Sequence, residues 1–141
     1  MNKKNTTLLL AATIVTTLNF HSCKKYDDGP AFSLRSKTSR LTGEWEVVRI
    51  GSAVYPQNGY SLEFEFDKNG DFTYGTSYSY NGQNYSYSYG GEWEFSSDKE
   101  DIEITINNSV LTFEINRLTN KELWMEDASD NTDTEWKLEK K

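Results

Sequence analysis

"YSLEFEFDKNGDFTYGTSYSYNGQNYSYSYGGEWEF" runs from Tyr60 to Phe95, and its large side chains fall on every second position. Leu62, Phe64 and Phe66 alternate with Glu63 and Glu65; Phe72, Tyr74, Tyr78 and Tyr80 share one parity; Tyr85, Tyr87, Tyr89, Trp93 and Phe95 share another. Successive side chains of a strand point to opposite faces of a sheet, so this alternation predicts strands with one buried face. Between the first two, Asp67, Asn69 and Gly70 suit a tight hairpin turn, with glycine taking the positive φ that other residues resist.

The same period extends outward in both directions. "LTGEWEVVRI" at Leu41 to Ile50 places Trp45 and Val47 on one side. "IEITI" carries Ile102, Ile104 and Ile106; "VLTFEI" carries Leu111, Phe113 and Ile115; Leu123 and Met125 follow, then Trp136 and Leu138. About eight strands joined by short connections favour antiparallel neighbours. A sheet of that size, apolar on one side only, hides its inner face best by curling closed, so the predicted fold is an all-β, antiparallel up-and-down barrel.

The tyrosine-rich centre of the opening stretch is read as one long hairpin. A four-residue "NGQN" connection between Tyr80 and Tyr85 would set Tyr78 opposite Tyr87, Thr76 opposite Tyr89, Tyr74 opposite Gly91 and Phe72 opposite Trp93. A disordered Ser/Tyr tract has no reason to stay in phase with Phe72 at one end and Trp93 and Phe95 at the other, so the row is structured. Phase continuity puts it on the core-facing side, extended toward one barrel rim. There, Tyr74, Tyr78, Tyr80, Tyr85, Tyr87 and Tyr89 can show rings to a ligand and hydroxyls to water.

Composition narrows the function classes. In 141 residues, 35% are hydrophobic and 14% aromatic, so large rings must supply much of the buried area of one domain. The formal charge of -7 argues against nucleic acid, because no cationic surface is available to displace phosphate counterions.

The chain opens "MNKKNTTLLLAATIVTTLNFHSC": Lys3 and Lys4, an apolar run from Leu8 to about Phe20, then Ser22 before the lone Cys23. The run is too short for the ~20 residues of a membrane-spanning helix, and the layout is that of a secretory signal. Residues 1–22 are therefore read as a lipoprotein signal peptide, with Cys23 as the lipidated N-terminus and membrane anchor. Residues 23–40 form a tether and 41–141 the barrel domain. Cleavage would remove the sole histidine, His21, and leave 13 basic residues against 22 acidic ones, a charge of -9. Without histidine or free thiol, most nucleophile–base pairs are excluded, and a non-enzymatic protein without cofactor or metal is expected.

"CKKYDDGP", with Lys24 and Lys25 ahead of Asp27 and Asp28, resembles the signal that sends Bacteroidota lipoproteins to the cell surface. Outer-membrane attachment with surface exposure is the location this implies. "LTGEWEV" carries a Gly-x-Trp at Gly43 and Trp45, "GEW" a second at Gly91 and Trp93, and with "FEFDKNGDF" and "RLTNKELWMED" the chain resembles the lipocalin-like domains of small Bacteroidota lipoproteins. The resemblance implies an eight-stranded barrel open at one end, often holding a small apolar ligand. It also implies an arginine packed over the first tryptophan, with Arg117 and Arg40 the candidates.

Gly43, Trp45 and Trp93 are read as structural, Trp45 plugging the closed end. Asp67, Asn69 and Asp71 are spaced like the start of a calcium loop, yet the twelfth position is Tyr78 rather than glutamate, which favours a plain turn. Glu126, Asp127, Asp130 and Asp133 show no ligand register and read as a solvated loop. Glu63, Glu65, Glu92, Glu94 and Glu103 lie opposite the aromatics, on an outer face. The leading expectation is a small apolar or amphipathic ligand bound non-covalently at the rim, or a structural surface module; a glycan on a tyrosine platform and a protein partner on the hairpin stay open as alternatives.

Overall fold

The computed structural model describes residues 35–129 and 134–141, so the expected signal peptide, Cys23 and the expected tether to residue 34 lie outside the described residues, as do Asp130 and Asp133. A short helix, α1 (Lys37–Leu41), precedes nine strands: β1 (Gly43–Ile50), β2 (Ala53–Val54), β3 (Tyr60–Phe66), β4 (Asp71–Tyr80), β5 (Gln83–Phe95), β6 (Asp101–Ile106), β7 (Ser109–Leu118), β8 (Glu122–Asp127) and β9 (Glu135–Lys140). Every pairing is antiparallel, and β1 joins both β3 and β9. Eight strands therefore close into an up-and-down barrel, with the two-residue β2 attached to β1 as an extra. The expected architecture is what forms.

The period-two pattern is obeyed almost everywhere. Trp45, Val47, Leu62, Phe64, Phe66, Phe72, Trp93, Ile102, Ile104, Phe113, Ile115, Leu123, Met125 and Leu138 make up most of one continuous buried core. Leu118 also belongs to it, although its parity is opposite to that of Leu111, Phe113 and Ile115. A register shift between Ile115 and Arg117 explains this, because an extra residue on one strand turns everything beyond it to the other face.

Up-and-down winding sorts the connections between two ends. Helix α1 and the β3–β4, β5–β6 and β7–β8 turns sit at the closed end. There Trp45 is fully buried, and its indole Nε1 donates to Leu41 O at 2.7 Å. The β1–β3 connection and the β4–β5, β6–β7 and β8–β9 connections form the rim. Among the described residues, the exposed large hydrophobics (Val54, Tyr80, Tyr87, Tyr89, Val110 and Leu111) all belong to the rim end.

"DKNGD" is a hairpin turn. Gly70, at φ 96°, donates its N–H to Asp67 O at 3.1 Å, and Asn69 Nδ2 donates to Asp71 Oδ2 at 2.7 Å. No group of three or more metal-ligating side chains occurs among the described residues.

Candidate functional site at the barrel rim

The tyrosine hairpin exists, but its register is not the expected one. The connection is two residues long: Asn81 and Gly82 take φ of 51° and 75°, and Tyr80 pairs with Gln83. Tyr78 therefore faces Tyr85, Thr76 faces Tyr87, Tyr74 faces Tyr89 and Phe72 faces Gly91. Asn-Gly is the preferred pair for a turn with two positive φ angles, whose twist matches that of the strands it joins. The tighter turn wins over a four-residue loop. Because the pairing moves by two positions, the tyrosines keep the core-facing side, with Ser77 opposite Ser86 on the outer one.

Burial falls toward the tip along β4 but not along β5. Phe72 is buried, Tyr74, Tyr78 and Tyr85 are half-buried, and Tyr80, Tyr87 and Tyr89 are 63%, 51% and 50% exposed. Tyr78 stacks on Tyr85 with centroids 5.2 Å apart and on Tyr87 at 6.3 Å, while Tyr74 stacks on Tyr89 at 6.1 Å. The strand beside them is short: β6 pairs with β5 only from Glu92 to Phe95. Beyond Gly91 the hairpin stands above its neighbour, and Tyr87 and Tyr89 are left half uncovered.

Tyr55 and Tyr60 extend the ring cluster onto the β1–β3 connection and β3, with Tyr60 stacked on Tyr78 at 6.5 Å. The sequence pattern held a sign of Tyr60, which shares the parity of Leu62, Phe64 and Phe66, but none of Tyr55. Burial, the hydroxyl bond with Tyr60 and the neighbouring phenols push the Tyr74 pKa up to about 12. The Tyr78 hydroxyl is also raised, first by its bond with Tyr87.

Below this layer the interior is bridged by one side chain. Trp136 of β9 stacks on Phe64 of β3 at 5.9 Å and meets Phe113 of β7 edge-on at 6.0 Å. In the ring of eight strands, β3 and β7 lie four steps apart, on opposite walls. Trp136 therefore spans the barrel, and a molecule entering from the rim meets its indole before the lower core. Alternation marks Trp136 as inward, but cannot tell that its ring crosses the axis.

The closed end holds a second correction. The cation over the first tryptophan is Lys140, whose Nζ lies 5.0 Å from the Trp45 ring and donates to Arg40 O at 2.8 Å and Thr42 O at 2.6 Å. Arg117, on the outer face beyond the β7 bulge, lies over Trp124 and pairs with Glu122 at 2.9 Å, while Arg40 Nη1 donates to Leu118 O at 3.3 Å. Lys140 follows Trp136 and Leu138 at even spacing, so parity alone directs it inward. Burial, then the charge of Arg35, lowers its pKa. Gly43 is bound into the same arrangement: its φ is 124°, and a Cβ there would meet Lys140 Cε at 2.9 Å.

Trp93 is also at the closed end, its Nε1 donating to Asp67 O at 2.8 Å and its ring edge-on to Phe66 at 5.7 Å. Gly91 of the second Gly-x-Trp lets β6 approach, since a Cβ would collide with Thr105 O and lie 2.9 Å from Ile106 Cγ1. Glu63, Glu65, Glu92, Glu94 and Glu103 lie on the outer face. A cleft of about 380 Å³ is lined by outer-face residues such as Glu63, Glu65, Ser77 and Ser86 and also by Phe64 and Tyr87.

This is a small antiparallel barrel capped by a helix and a tryptophan at one end, with an aromatic rim at the other. The model of the lipocalin-like domain matches residues 41–125, and the chain belongs to that family. Among solved structures it is similar to a lipocalin-like protein from Bacteroides uniformis, known from a crystal structure at 1.79 Å resolution, with a TM-score of 0.53. The alignment covers 72% of this chain and 99% of that one at 14% identity, a likeness of fold. No curated protein matches the sequence.

Proposed function

We propose that this protein is a lipid-anchored lipoprotein of the outer membrane, exposed at the cell surface, that binds a small apolar or amphipathic molecule non-covalently at its barrel rim. The observation that carries the reading is the half-exposed pair Tyr87 and Tyr89, on the face continuous with the core. A molecule laid there would cover these rings, rest on the layer above Trp136, and be oriented by the phenol hydroxyls. Membership of a lipocalin-like family supports a binding role over a catalytic one. Anchoring rests on the signal layout and on Cys23.

A glycan platform draws less support. Platforms offer ring faces to sugar rings, whereas Tyr78 and Tyr85 turn theirs toward each other at an interplanar angle of 19°.

The test uses the neutral fluorophore N-phenyl-1-naphthylamine as probe. Tyr87→Ser combined with Tyr89→Ser is expected to weaken its binding about tenfold or more with little change in the folded spectrum, since both rings are half outside the core. Unchanged probe affinity in the folded double variant refutes the rim site.

A further inference from the structure

The β4–β5 hairpin carries no charged side chain from Phe72 to Gly91, in a chain whose residues are 26% charged. Its outer edge is also unpaired. Strand β6 takes up β5 only from Glu92 onward, and no other strand of the described residues reaches Gln83 to Gly90 on that side.

Which backbone groups face outward follows from the turn. In a two-residue hairpin, the residues flanking the turn form a hydrogen-bonded pair, and bonded pairs then alternate along the ladder. Tyr80 and Gln83 flank the turn, so Gln83, Tyr85, Tyr87 and Tyr89 bond to β4. The N–H and C=O groups of Asn84, Ser86, Ser88 and Gly90 point to the open edge, and all four residues are exposed. Natural proteins block such edges with lysine, proline, a bulge or a covering loop. Among residues 83–90 there is neither lysine nor proline, and the pairing with β4 runs without a register shift.

We propose that this edge pairs with the same edge of a second copy of the chain, forming a two-fold antiparallel β5–β5 dimer whose sheet runs through both barrels. The pattern is self-complementary. With Tyr87 on the two-fold axis, Ser86 faces Ser88 of the second copy and Asn84 faces its Gly90, so every outward backbone group finds a partner. Tyr85 then lies beside Tyr89 of the second copy, on the inner face.

Electrostatics favours this meeting point over the rest of the wall. Elsewhere the outer face sets acids opposite acids: one row runs Glu122, Glu139, Glu46, Glu63 across four neighbouring strands, and another runs Asp101, Glu114, Glu126, Glu135. Lys141, Arg117 and Lys137 pair with Glu63, Glu122 and Glu135 and offset part of this charge, but acids outnumber these cations in both rows. Two copies approaching through them still repel, and the neutral hairpin is where they can touch with less of that cost. The dimer rests on backbone pairing and stands whether or not the rim binds a ligand.

Disulfide trapping in the full-length protein tests both the dimer and its register. Single cysteines are placed at Tyr85, Ser86, Tyr87, Ser88 and Tyr89 in turn, with the unaltered chain as control for Cys23. Only a residue on the axis meets its own counterpart closely enough for an unstrained disulfide. Y87C is expected to give a band of doubled mass far stronger than the other four, and adding S86K and S88K, on the exposed outer face, is expected to remove it. No doubled band, or equal bands from all five positions, overturns the dimer; a monomeric chain would leave this edge to a strand of another protein. A maximum at a different position overturns the register.

Discussion

Replacing Trp136 by alanine separates two contributions that most core truncations combine. Deleting a buried tryptophan or phenylalanine side chain from a core costs about 3–5 kcal/mol. Trp136 is partly buried, so the lower end applies, about 3 kcal/mol, including its ring contacts with Phe64 and Phe113. For a domain of this size that corresponds to a fall in Tm of roughly 10–20 °C. Because the indole bridges opposite walls, its removal also opens the axis of the barrel to the rim. The expected result is therefore a less stable protein that binds N-phenyl-1-naphthylamine more tightly, since the probe gains an apolar chamber below the tyrosines. Thermal melts and probe titration at a temperature where the variant is folded measure both quantities. A destabilised variant whose probe affinity is unchanged or reduced would show that the walls collapse inward, and would refute the role of Trp136 as the floor of the site.

Three other outcomes are expected. Gly43→Ala should lower stability in urea by more than about 2 kcal/mol, because its φ of 124° resists a side chain and the new Cβ displaces Lys140; Lys140→Ala in the same chain should relieve part of that loss, and strict additivity would exclude the clash. Phenolate absorbance of the folded protein should show one tyrosine ionising only near pH 12, a step that Tyr74→Phe removes. Since the folded pKa lies above the usual 10.0, the stability owed to neutral Tyr74 is fully present below pH 10 and is lost as pH rises toward 12; a phenol titrating at its ordinary position would contradict its burial. Cys23→Ala should move the protein from the membrane fraction to the soluble one, and continued membrane association would refute lipid anchoring.

The barrel was legible because alternation is a local property. Leu62, Phe64 and Phe66 declare their face without knowledge of any partner, and the same holds for nearly every core residue. What escaped depended on pairs. The hairpin register hinged on whether Asn81 and Gly82 alone made the turn or shared it with Gln83 and Asn84, and parity cannot separate registers that differ by two. Leu118 escaped because a bulge inverts parity after Ile115, and no single residue type marks that bulge. The cation over Trp45 was sought among arginines, although the even spacing of Trp136, Leu138 and Lys140 already pointed to the lysine. At the rim, alternation identified the tyrosines but not their grading from half-buried to exposed, which depends on where β6 stops.

That stopping point makes the reach of the hairpin separable from the barrel below it. Strand β6 leaves β5 at Glu92, and β3 accompanies β4 only to Tyr78, so residues beyond these positions answer to little except their own turn. Adding or deleting two residues on each arm would raise or lower the tip by one full pleat while every tyrosine kept its side. Adding one to each would instead present serines inward. The height of the wall is thus adjustable only in even steps, and its chemistry can be exchanged in odd ones, with the Trp45 end left undisturbed.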